Sequence, residues 1–122
     1  VIIALGHAGA GLMTNSQALT THMLRVSEKI GEPLWHLPIW PELDKEIKST
    51  VADYKNTTVD SVGGRALSAG AFLKAFVGDL PWAHLDIAGT AWDCKCTGYS
   101  ATGSTGFGLR TLTQACFDFK GF

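Results

Sequence analysis

Trp82-Ala83-His84-Leu85-Asp86-Ile87-Ala88-Gly89-Thr90-Ala91-Trp92 is the stretch on which the fold turns. Bulky and β-branched residues dominate positions 82 to 87, Pro81 precedes them and Gly89 lets the backbone turn afterwards, so they read as a short buried strand. Small residues crowd its exit. In an open α/β sheet ligands bind outside the carboxyl ends of strands, which makes Ala88, Gly89, Thr90 and Ala91 the expected wall of a pocket.

Working outward, a helix from Ser68 to about residue 77 leads into this strand, with Ser68 as its cap and Phe72, Leu73, Phe76 and Val77 as its apolar residues. After it, residues 93–106 are rich in glycine, serine and threonine. From about residue 107, Leu109, Leu112, Cys116 and Phe119 mark an amphipathic terminal helix. At the other end, Val1-Ile2-Ile3-Ala4-Leu5 is a continuous apolar run, read as a strand buried on both faces, and Gly6, Gly9 and Gly11 form the loop after it. A helix over residues 16–30 follows, capped by Asn15, striped by Leu19, Met23, Val26 and Ile30, and stopped by Gly31 and Pro33. The glycines run Gly-x-x-Gly-x-Gly rather than Gly-x-Gly-x-x-Gly, so a tight βα connection is favoured over a dinucleotide site.

Between these lies Glu32-Pro33-Leu34-Trp35-His36-Leu37-Pro38-Ile39-Trp40-Pro41, an extended, proline-stiffened connection whose tryptophans need cover. A short helix over residues 42–48 turns Leu43 and Ile47 inward and pairs Asp44 with Lys48. Residues 51–55 are extended, and residues 56–64 form a polar loop. Helices and strands alternate, which implies an α/β layer arrangement. Three strands alone would leave long bare edges, so the chain is expected to be part of a larger sheet.

The 122 residues, 46% hydrophobic and 17% charged, suit one modest core. Ten basic and eleven acidic residues give a net charge of −1 without a basic stripe, which recommends neither nucleic acid nor a membrane surface as partner. No apolar stretch approaches the roughly 20 residues that span a bilayer, and the expected compartment is cytoplasmic. The first residue is Val1, already inside the expected strand, as though further chain precedes it.

The residues offer no catalytic constellation of their own. His7, His22, His36 and His84 fall on different elements without metal-ligand spacing, so no metal site is expected from this chain. His84 reads as a structural histidine and His22 as a helix-surface one. Cys94, Cys96 and Cys116 read as free thiols, and Ser104 lacks the first glycine of a nucleophile elbow. Asp53 and Asp86, placed in apolar surroundings, are expected to make structural hydrogen bonds or ion pairs.

A resemblance adds what spacing does not. The opening stretch resembles the corresponding segment of the leucyl (cytosol) aminopeptidases, the two-metal exopeptidase family. Ile3-Ala4-Leu5-Gly6, Gly11-Leu12-Met13-Thr14-Asn15, Gly31-Glu32-Pro33-Leu34-Trp35-His36-Leu37-Pro38, Val51-Ala52-Asp53-Tyr54-Lys55-Asn56, Phe72-Leu73-Lys74-Ala75-Phe76-Val77 and Thr105-Gly106-Phe107-Gly108-Leu109-Arg110 resemble it in the same order. It implies that residues 1–122 are the C-terminal portion of a larger three-layer domain, a mixed, largely parallel sheet flanked by helices. The family's metal ligands and its catalytic lysine and arginine lie upstream, so this chain alone is expected to supply no catalytic residue and to hold no metal. By the same resemblance Ala88 and Ala91, with Gly89 between them, line the pocket for the substrate's N-terminal side chain, and Thr57 lies near the pocket for the next residue. The implied activity is hydrolysis of peptides by two zinc or manganese ions in a homohexamer. A truncated, non-catalytic member with a structural or interaction role is the alternative.

Overall fold

The computed structural model describes residues 1–57, 63–93 and 102–121, and its central strand begins where the sequence reading placed a loop. Strand β1 is Ala10–Thr14, with Ala10, Gly11, Leu12 and Met13 all buried. The apolar run before it is a helix, α1 (Ile2–Leu5). The Val1 carbonyl accepts from the amides of Ala4 and Leu5 at 2.9 Å, and Ile2 and Ile3 are exposed. A run of five apolar residues is compatible with either state, and only its neighbours decide. Gly11 belongs to the strand because other groups cross it closely: a Cβ there would lie 2.8 Å from Leu37 Cδ1.

Helix α2 (Gln17–Ile30) follows. Its cap is Ser16 rather than Asn15: Ser16 Oγ accepts from Leu19 N at 3.3 Å, and Gly31 closes the helix in the left-handed conformation at φ 75°. Asn15 instead bridges to the segment before the third strand, its side chain donating to Leu80 O and accepting from Trp82 N, both at 2.8 Å. Ser16→Ala is expected to lower stability by about 1 kcal/mol, read by chemical denaturation. The expected stripe is in place. Met23 and Val26 are buried, and Leu19 and Ile30 pack beside them.

Strand β2 (Leu34–His36) lies parallel to β1, and β3 (Ala83–Asp86) lies antiparallel on its other side. The order β2-β1-β3 makes a mixed sheet whose outer strands are both bare on one edge among the described residues. Register fixes the faces. Leu12 opposes Leu85, and with Ala10, Leu34, Ala83 and Ile87 it packs under α2 and the terminal helix α5 (Leu109–Asp118). Gly11 opposes Asp86 and Met13 opposes His84 on the other face. There α4 (Arg65–Lys74) crosses, and Gly70 leaves room for the Met13 sulfur. The sheet thus carries helices on both faces.

Several local expectations change. Helix α4 starts after Gly64, which sits in the left-handed region at φ 67°, so Ser68 lies inside the helix and donates to Glu46 Oε2 at 3.0 Å. Helix α3 (Leu43–Glu46) ends before Lys48, so the expected Asp44–Lys48 pairing loses its helical spacing, while Leu43 and Ile47 are buried as read. In α5 the expected stripe faces outward: Leu109, Leu112 and Phe119 are exposed, and Thr111 and Ala115 are buried. Small residues bring α5 close to α2, and His22 Nε2 donates to the Ala115 carbonyl at 3.0 Å, so His22 joins two helices rather than facing solvent alone. Trp35 and Trp40, expected to find cover, are 67% and 55% exposed.

Candidate functional site

The chain leaves β3 through a turn that is bonded on every side. Ile87 O accepts from the amides of Thr90 (2.9 Å) and Ala91 (2.8 Å), and Asp86 Oδ1 accepts from Ala88 N at 3.1 Å. Gly89 is buried against α1, and a Cβ on it would fall on the Gly6 carbonyl oxygen. His7 lies in the loop after α1 and bonds Gly89 O through Nδ1 at 2.6 Å. Ala88 is exposed and Ala91 half-buried. Past the turn, β4 (Trp92–Asp93) pairs with β5 (Gly103–Ser104).

The direction of β3 sets which end of the sheet its exit faces. It runs against β1 and β2, so its carboxyl end lies beside the amino ends of the parallel pair. The strand-end rule therefore points, for β1 and β2, to the opposite end of the sheet, where a cleft of ≈ 540 Å³ opens beside Thr14, Ser16 and His36. What assigns Ala88, Gly89 and Ala91 to a pocket is the resemblance, and the turn's geometry is compatible with it.

Thr57 is exposed and lines a separate cleft of ≈ 570 Å³ with Tyr54, Phe72 and Phe76, whose lining includes none of Ala88, Gly89 and Ala91. Tyr54 and Phe72 each meet Phe76 edge-on, with centroids 5.5 and 5.1 Å apart. Asp53 is exposed rather than in apolar surroundings, whereas Asp86 makes the structural bond expected of it. His84 is half-buried and stacks on Trp82; burial lowers its pKa, and the Asp86 charge only partly opposes that. Ser104 is exposed in β5, Cys116 is an exposed free thiol, and Cys94 and Cys96 lie outside the described residues. Among the described residues no group of three or more His, Cys, Asp or Glu is placed to hold a metal ion, so these side chains do not fit a metal pair.

One residue escaped the sequence reading. Glu32 is 4% exposed, and its Oε2 accepts from Gly108 N (3.2 Å), Thr111 N (3.0 Å) and Thr111 Oγ1 (2.6 Å) at the start of α5. Its Oε1 accepts from Arg110 Nε at 3.2 Å. Burial by itself raises its pKa, but the Thr111 hydroxyl and amide and the Arg110 guanidinium outweigh that, and the carboxyl sits below its usual value. Glu32 is thus the side-chain anchor of a helix whose own N-cap, Gly108, supplies none. The only hint in the sequence was a carboxylate between Gly31 and Pro33, where a turn was expected.

Comparison with known proteins places this arrangement. Residues 1–113 match the model described as the cytosol aminopeptidase family, catalytic domain. The chain is 48% identical over 120 residues to a probable cytosol aminopeptidase of Roseiflexus castenholzii, a match covering 98% of this chain and 24% of that protein. It is also 48% identical over 114 residues to one of Syntrophotalea carbinolica, covering 91% and 22%. The bottromycin maturation enzyme BotP, solved in complex with Mn, superposes with a TM-score of 0.85 at 34% identity, covering 93% of this chain and 25% of that one. The chain spans about a quarter of the length of the curated relatives it matches.

Proposed function

The chain belongs to the cytosol aminopeptidase family, and from that premise we propose that it forms the C-terminal part of the catalytic domain of a metal-dependent leucyl aminopeptidase. In this reading it supplies a wall of the pocket for the substrate's N-terminal side chain. The observation that carries it is the family match over residues 1–113, and the hydrogen bonds that hold the backbone of the turn after β3 support Ala88 and Ala91 as a fixed wall. Small side chains there leave room for a leucine-sized group, whose burial is worth roughly 1.5–3 kcal/mol. The complete protein is proposed to hydrolyse peptides with two divalent ions, zinc or manganese, whose ligands come from other segments, and to assemble as a homohexamer. The edges of β2 and β3, bare among the described residues, and the exposed Trp35 and Trp40 support a larger domain around this one. Thr57 is proposed to border the site for the following residue.

The test is hydrolysis of leucine p-nitroanilide by the complete polypeptide that carries this chain, with added manganese or zinc. Ala88→Phe should lower kcat/KM at least about tenfold, since the ring occupies the space of the substrate side chain. A wild type without activity would leave the non-catalytic alternative standing. Full leucine activity in a folded Ala88→Phe protein would remove the pocket wall from this turn.

A further inference from the structure

Residues 90 and 91 end on a single partner. Thr105 Oγ1 donates to Thr90 O at 2.6 Å, Thr105 N donates to Ala91 O at 3.0 Å, and the same hydroxyl accepts from Phe107 N at 3.1 Å. A hydroxyl has one proton, so its donor is committed to the turn while a lone pair holds the chain leading into α5. On the other side, Gly89 O meets His7 Nδ1. A carbonyl only accepts, so the imidazole carries its proton on Nδ1. Three successive carbonyls, those of residues 89, 90 and 91, are therefore each taken by a donor from outside the turn, from two unconnected segments. An alanine side chain is a methyl with no rotamer of its own, so the position of a wall built from Ala88 and Ala91 depends wholly on the backbone that carries it.

We infer that Thr105, seconded by His7, is a positioning residue that sets which N-terminal side chain the proposed pocket accepts. This rests on the aminopeptidase reading above. The Thr105 hydroxyl acts through the turn, by its bond to the Thr90 carbonyl. The predicted signature is a change in selectivity between substrates, which a merely structural role would not produce.

The experiment compares kcat/KM for leucine, alanine and phenylalanine p-nitroanilides in the complete metal-loaded protein. Thr105→Val keeps the shape and removes the hydroxyl; it is expected to shift the leucine-to-alanine and leucine-to-phenylalanine ratios about tenfold, the scale of a methylene-sized change in an apolar pocket. Thr105→Ser, which restores the hydroxyl, is expected to return the ratios to within about twofold of wild type. His7 is exposed, so His7→Ala provides a second variant should Thr105→Val not fold, and the same ratios are expected to move in it. An active wild type whose ratios are unchanged in the folded variants overturns the inference and leaves the aminopeptidase reading intact. A wild type with no activity on any of the three substrates removes that reading, and this inference with it.

Discussion

Glu32→Ala is expected to lower the stability of the protein by about 1.5–3 kcal/mol, the range for hydrogen bonds made to a charged group, since its partner Arg110 is itself exposed. The carboxylate accepts two backbone amides and one hydroxyl at the start of α5, together with the Arg110 guanidinium, and it is 4% exposed. Removing it leaves the Gly108 and Thr111 amides and the buried Thr111 hydroxyl without an acceptor in a site that water does not readily enter. The pH dependence has a definite sign. The folded carboxyl titrates below its unfolded value, so the unfolded chain binds the proton more tightly as pH falls. The stabilisation is present above the unfolded value, about 4.3, and is lost as pH drops through the folded one. Glu32→Gln should therefore flatten that acid limb as well as lower the plateau. Denaturation midpoints in urea between pH 3 and 7 read both effects, and an acid limb unchanged in the glutamine variant would show that Glu32 is not its source.

Gly89→Ala is the second substitution with a large expected effect, about 1–3 kcal/mol of destabilisation. The added carbon would fall on the Gly6 carbonyl, a backbone atom that no rotamer change can move aside. Either α1 or the turn after β3 must withdraw, and the His7 bond to Gly89 O opens with it. On the proposed reading, in which that turn carries the pocket wall, leucine p-nitroanilide hydrolysis by the complete protein should fall along with stability. Gly63→Ala is the natural control, since an added carbon there meets nothing within 4 Å. Equal melting temperatures for the two variants would mean that the approach of Gly6 to Gly89 is not tight in solution.

These two residues show where the sequence was legible. Gly89 stands at the exit that the sequence marks, but its φ is not positive, so what requires glycine there is the close approach of the Gly6 carbonyl, which leaves no mark on neighbouring residues. Glu32 is not legible in the sequence because its four donors come from residues 108, 110 and 111, and separations of 76 to 79 positions have no local signature. In α5 the stripe through Leu109, Leu112 and Phe119 predicted a helix correctly and its buried face wrongly. Periodicity reports where apolar residues recur, and a chain that spans a quarter of its relatives need not bury all of them within itself.

The sequence by itself determined the family, the α/β class, the buried stripe of α2 and the short strand within residues 82–87. Those are recorded in residue order, through periodicities of 3.6 and 2 and through stop residues such as Gly31 after α2. Tertiary structure alone decided that residues 2–5 form a helix while residues 10–14 form the central strand, and that β3 runs antiparallel to it. It also decided that Glu32 holds α5 and that Thr105 and His7 hold the turn after β3. Each of those depends on which distant groups meet, because a short apolar run satisfies either backbone state and a buried polar group needs only a partner, wherever in the chain that partner lies.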